Sequence, residues 1–219
     1  MSYYFFHSLF NSIIIFTGER MKKLKKEYLF LFIIIIVGIL SGIIFTNILN
    51  VNDKKIVYTR ITTYFNNLSN DVALDYRNNL LHNIKNNGIY ILLIISFSLS
   101  IIGLFFNTFI LFLKSFILGF TIGSIINIYF YSGIVLAIFY VFPAQLFSLL
   151  MYAIIIFHAN TLSLKLFEYI FKKKECHFSL LLKKNMRIIG LVLFLHLLSD
   201  LFDIFLTPYI LKLFCFLIT

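Results

Sequence analysis

The chain has 219 residues, of which 61% are hydrophobic; its mean hydropathy is +0.96 and its formal net charge +10. That hydropathy excludes an ordinary soluble domain. The charge does not point to nucleic acid, because the basic residues sit in short runs beside apolar stretches, as cytoplasmic membrane flanks do. Ile, Phe, Asn and Lys are abundant, Trp is absent and Pro occurs twice, a set that AT-rich codons of a low-GC bacterium would produce.

Residues 1–20 are apolar but lack the basic start of a signal peptide and are too short to span. Met21-Lys-Lys-Leu-Lys-Lys reads as a natural bacterial start, so residues 1–20 are expected to be an upstream extension and 21–219 a single membrane domain. Tyr28–Leu49 follows the lysines as a first, uncleaved span, N-terminus inside, with Gly38, Gly42 and Thr46 at four-residue spacing. Residues 50–87 form the one extended polar segment and should lie outside, with two short amphipathic helices on the surface. That segment is either a solvated connector or a partner-binding loop.

An almost unbroken apolar block follows, divided here into spans at about 88–106, 109–131 and 133–158. Asn107 and Lys114 are expected near a tight inside turn, and Tyr129, Tyr131 and Tyr140 near the opposite interface. In the third span Ser115, Gly119, Gly123 and Asn127 recur every four residues, making one small-residue stripe that includes a G-x-x-x-G. Such a stripe lets two backbones approach where water supplies no driving force. It serves helix packing within the chain, a second copy of it, or a partner seam. Pro143 and Gln145 interrupt the fourth span, as a plain kink or as a site.

Residues 159–187 form a basic loop, placed inside by the same parity as the N-terminal lysines. The fifth span, 188–206, carries His196, Asp200 and Asp203 on one helical face. Ionisable groups inside a membrane are functional candidates; this face could be a relay, a clamp to neighbouring helices, or acids near the interface. Thr207-Pro208 is expected to stop the helix, leaving 209–216 in the outer interface and the C-terminus outside. Cys176 and Cys215 then fall on opposite sides, so no disulfide is expected between them. The fold class is therefore all-α, a polytopic integral membrane protein of about five spans surrounded by lipid. The sequence has no H-E-x-x-H, G-x-S-x-G, glycine-rich phosphate loop or C-x-x-C. No catalytic residue, metal ligand or cofactor is assigned from it.

The order of segments is similar to that of a known family. Leu81-His82-Asn83-Ile84-Lys85 precedes the second span; Phe112-Leu-Lys114-Ser-Phe-Ile-Leu-Gly119-Phe-Thr121-Ile-Gly123, Val141-Phe-Pro143-Ala-Gln145-Leu, Ser163-Leu-Lys165-Leu and Asp203-Ile-Phe-Leu-Thr207-Pro208 follow. Together they resemble the stage II sporulation protein M family, over about Met21 to Leu211. The resemblance implies a multi-pass protein of forespore engulfment in the septal or engulfing membrane. It also implies a scaffold for two wall-degrading partners, stage II sporulation proteins P and D. No catalytic residues come with it, and Asp203 stands where Glu is expected. The competing reading is a transporter or transporter subunit, motivated by Pro143, Gln145 and the acidic face; a membrane enzyme comes third.

Overall fold

The computed structural model describes residues 18–69, 76–172 and 178–214. Both cysteines and the first seventeen residues of the expected extension lie outside the described residues. All regular structure among the described residues is helical: α1 Gly18–Ile48, α2 Val51–Ser69, α3 Tyr76–Ser98, α4 Gly103–Tyr140, α5 Leu146–Lys172 and α6 Phe178–Phe214. A π-helical turn, Val141–Gln145, joins α4 to α5. Among the described residues four segments are long and apolar enough to cross a membrane: Tyr28–Ile48, Gly103–Tyr140, Leu146–Phe171 and Asn185–Leu213. The protein is an all-helical polytopic membrane protein.

The 38 residues of α4 would reach about 57 Å if straight, nearly twice a hydrocarbon core. The helix is not straight. Phe130 has φ 51° and ψ −121°, which breaks it into a hairpin whose short returning arm, residues 131–140, runs on through the π-turn into α5. Phe130 and Tyr131 stand exposed at the hairpin tip. The returning backbone passes so close that a Cβ on Gly133 would lie 2.6 Å from the Ile125 carbonyl oxygen, hence the glycine. α3, whose first half is polar, packs against α4, α5 and α6.

Two boundaries differ from those read in the sequence. The second pass ends at Ser98, and a short turn of 3-residue hydrogen bonds, Ser100 N to Phe97 O and Gly103 N to Ser100 O, leads into α4. Apolar side chains continue through this turn, so hydropathy could not reveal it. At the other end α6 does not stop at Pro208 but runs on to Phe214. An internal proline costs about 3 kcal/mol. The continuation is held by Leu211, fully buried in a cluster with Phe65 and Leu68 of α2 and Ile125, Leu136 and Ala137 of the hairpin. The polar segment after the first pass is indeed helical, as α2 and the start of α3, and α2 covers this end of the bundle.

α1 docks mainly on α4, through the two small-residue stripes. A Cβ on Gly38 would come within 2.6 Å of the Ser115 Cβ, and one on Gly123 within 3.0 Å of Thr46 Oγ1. At Gly42 an added Cβ would collide with the Phe116 carbonyl oxygen, and at Gly119 with that of Ile39. Asn127 closes the seam by donating from Nδ2 to Thr46 Oγ1 at 2.9 Å and to Asn47 Oδ1 at 3.1 Å. The stripe is thus consumed inside the chain, which removes it as a free surface for a partner. Gly42→Leu and Gly119→Leu should therefore each undock α1, lowering the melting temperature in detergent by more than about 5 °C, as overpacking of 1–3 kcal/mol or more would. Gly88→Ala and Gly190→Ala, whose added Cβ atoms meet nothing within 4 Å, should melt with the parent.

Candidate functional site: a polar cavity inside the bundle

α3, α4, the π-turn with α5, and α6 line an open cavity of about 290 Å³. Its deeper wall is formed by Asn87, Tyr90, Lys114 and Tyr152, and its wall nearer α2 by Asn83, Thr121, Tyr140, Gln145 and Asp203. Asn87, Lys114 and Tyr152 each stand eleven positions from Ser98, Gly103 and Ser163 respectively. Those three meet at the opposite end of the bundle, where Ser163 Oγ donates to the Ser98 carbonyl at 3.1 Å beside Gly103. At 1.5 Å rise per residue the Lys114 backbone lies about 16 Å from that end, near the middle of a hydrocarbon core. Lys114 is therefore not at the inside turn that the sequence suggested; the turn sits at 99–102, one and a half times a helix diameter away.

One asparagine organises the deep wall. Asn87 Nδ2 donates to Asp200 Oδ1 at 2.8 Å, while its Oδ1 accepts from Lys114 Nζ at 3.0 Å and from the Tyr152 hydroxyl at 3.0 Å. The amide thus links a cation and a carboxylate that do not touch, with donor and acceptor ends matched to each. The Lys114 ammonium also lies 3.9 Å from the Tyr90 ring centroid and 4.7 Å from that of Tyr152. Ring faces supply negative potential where water is absent. His196 is 1% exposed, edge-on to Tyr152 at 4.7 Å, with Nε2 3.5 Å from Ser148 Oγ. Its Nδ1 lies 3.6 Å from Asp200 Oδ1 and has no hydrogen-bond partner.

The π-turn explains the second half of the site. Proline has no N–H to give, and here the helix widens so that Leu146 N bonds the Val141 carbonyl. The widened turn presents Gln145 to α6, where Nε2 donates to Asp203 Oδ2 at 2.8 Å. It also leaves the Ala144 carbonyl to accept from Ser199 Oγ at 3.1 Å. The Pro143–Gln145 irregularity and the His196/Asp200/Asp203 face, separate in the sequence, are therefore two walls of one site.

Sequence reasoning missed Asn87, Lys114 and Tyr152 as members of this site. A lysine inside an apolar run was the available signal, and it was misread because the boundary of the second pass was placed too late. Tyr140 lines the cavity, whereas Tyr131 stands exposed at the hairpin tip and Tyr129 packs edge-on against Phe65. Among the described residues no group of three or more His, Cys, Asp or Glu is placed to hold a metal ion.

A family model described as stage II sporulation protein M matches residues 31–208. The chain belongs to that family. No curated protein and no solved structure matches it. The match to the sporulation protein M family begins at Leu31 in α1 and ends at Pro208 in α6. It therefore takes in every wall of the cavity and both sides of the glycine seam.

The deep wall makes a specific energetic prediction for this family member. Lys114→Met leaves the Asp200 carboxylate and the Asn87 amide without their cation, and breaking one side of a buried pair costs about 3 kcal/mol. Adding Asp200→Asn removes the stranded charge. The double variant should melt above Lys114→Met, and a double-mutant cycle on detergent-purified protein should give a coupling of at least about 1 kcal/mol.

Proposed function

We propose that this sporulation-family membrane protein is a non-catalytic scaffold for peptidoglycan-remodelling enzymes during septal wall thinning and forespore engulfment. The observation that carries the reading is the family match, which extends across the whole bundle. In this reading the protein resides in the septal or engulfing membrane, and its partners are the wall hydrolases, stage II sporulation proteins P and D. Two features suit such a role. α2 sits across one end of the bundle, a platform next to the wall when the N-terminal lysines lie inside. α1 carries Phe30, Phe32, Ile33, Val37, Leu40 and Ile44 exposed along its outer side, a surface for lipid or for a partner's anchor helix.

A second reading, a transporter or transporter subunit, is favoured by the polar cavity at mid-depth. The two are separated by experiment. Under the scaffold reading, affinity purification of the tagged protein from sporulating cells should recover the hydrolases, and deletion should leave septal wall unthinned. Recovery of no wall enzyme would overturn it. A solute flux in proteoliposomes that disappears with Asp203→Asn would install the transporter in its place.

A further inference from the structure

The walls of the cavity do not balance in charge. Among the described residues lining it, Lys114 is the one cation, and Asp200 and Asp203 are two carboxylates. Asn87 couples Lys114 to Asp200 by bonds of 3.0 and 2.8 Å, so those two charges answer each other. The ammonium is committed further, to the faces of Tyr90 and Tyr152. Asp203 has the Gln145 amide at 2.8 Å and, among the described residues, no cation of its own in the wall. His196 is buried behind Asp200 with its Nδ1 3.6 Å from Asp200 Oδ1, so the imidazole faces that carboxylate and not Asp203.

An unanswered carboxylate at membrane depth is expensive, and such residues mark ion sites when they face a polar cavity. The remaining wall chemistry suits a cation. Beside Asp203 stand two oxygen-bearing neutral side chains, Tyr140 and Gln145, and the Gln145 amide turns its nitrogen to Asp203 and so keeps its oxygen for something else. Hard cations are held by carboxylate, amide, hydroxyl and water oxygens in cavities of this kind. A single net negative charge calls for a monovalent ion. The volume of about 290 Å³ leaves room for the ion with several of its waters.

We propose that the cavity binds one alkali cation, sodium or potassium, at Asp203 and Gln145. Binding joins α6 to the π-turn, because the ion would be shared between residues of both. The proposal is independent of the scaffold reading: it concerns occupancy, and holds whether or not the ion crosses the membrane and whatever the partners are.

The test uses the full chain in detergent or lipid nanodiscs. Wild-type protein should bind radioactive sodium, or potassium-analogue rubidium, saturably at about one ion per chain. Its melting temperature should rise by at least about 3 °C when N-methyl-D-glucamine chloride is replaced by sodium or potassium chloride at equal ionic strength. Asp203→Asn should abolish both effects. Gln145→Met, which keeps the carboxylate, should weaken binding about fivefold or more; it serves as the localising variant if Asp203→Asn does not accumulate. Absence of saturable binding to the wild type overturns the proposal. So does equal melting in all three salts, including the case where only acidification stabilises the protein and a proton is the counter-charge. Unaltered affinity in both variants likewise overturns it.

Discussion

The arrangement of this bundle depends on where the Lys114 ammonium can rest. A lysine near the middle of a bilayer must be given acceptors by the protein, and three other helices supply them. Asn87 from α3 accepts its hydrogen bond, Tyr90 and Tyr152 from α3 and α5 present their rings, and Asp200 from α6 answers its charge through the Asn87 amide. One side chain thereby sets the relative depth of four helices. Sliding any of them by a single turn, about 5.4 Å, would separate the partners by more than a hydrogen bond can bridge. Apolar packing alone specifies depth far less sharply, because one apolar surface in lipid resembles the next.

The glycine seam does a different job. It fixes α1 against α4 by close backbone approach, and it involves none of the groups in the cavity. The bundle thus has a polar interior joining α3 to α6 and an apolar helix beside it, α1, held by close packing and by the Asn127 hydrogen bonds at its end. This division matters for a scaffold. α1 keeps a wide apolar outer side exposed while its inner side is fully engaged, so a partner helix in the membrane would find α1's outer side, not the seam, available.

The two devices meet at the hairpin and at the π-turn that follows it. Phe130 reverses the chain so that the arms on either side of it contribute to one cavity, Thr121 and Lys114 from the long arm and Tyr140 at the end of the short one. The π-turn then rotates Gln145 onto Asp203. Membership of the stage II sporulation protein M family places this architecture in sporulation. The cavity adds to that setting a chemically specific interior that packing of apolar helices by itself would not require.

Much of the fold is determined by the sequence on its own. Long apolar runs can only be membrane helices, because lipid leaves backbone groups no other partner. Glycine at four-residue intervals marks faces of close approach, and Gly38, Gly42, Gly119 and Gly123 do face one another. The order of segments was enough to suggest the family. The sequence also put His196, Asp200 and Asp203 on one face of a helix. What it left undecided was depth. In a block where nearly every residue is apolar, hydropathy cannot mark a turn such as 99–102 or a reversal at Phe130, and without those points Lys114 and Asn87 have no level in the membrane. Tertiary structure decided which polar groups share a level, and so brought Asn87, Lys114 and Tyr152 to Asp200 and Gln145 to Asp203. The physical reason is that these partners lie on different helices, and their register is fixed by mutual satisfaction of charge and hydrogen bonds that no single helix records.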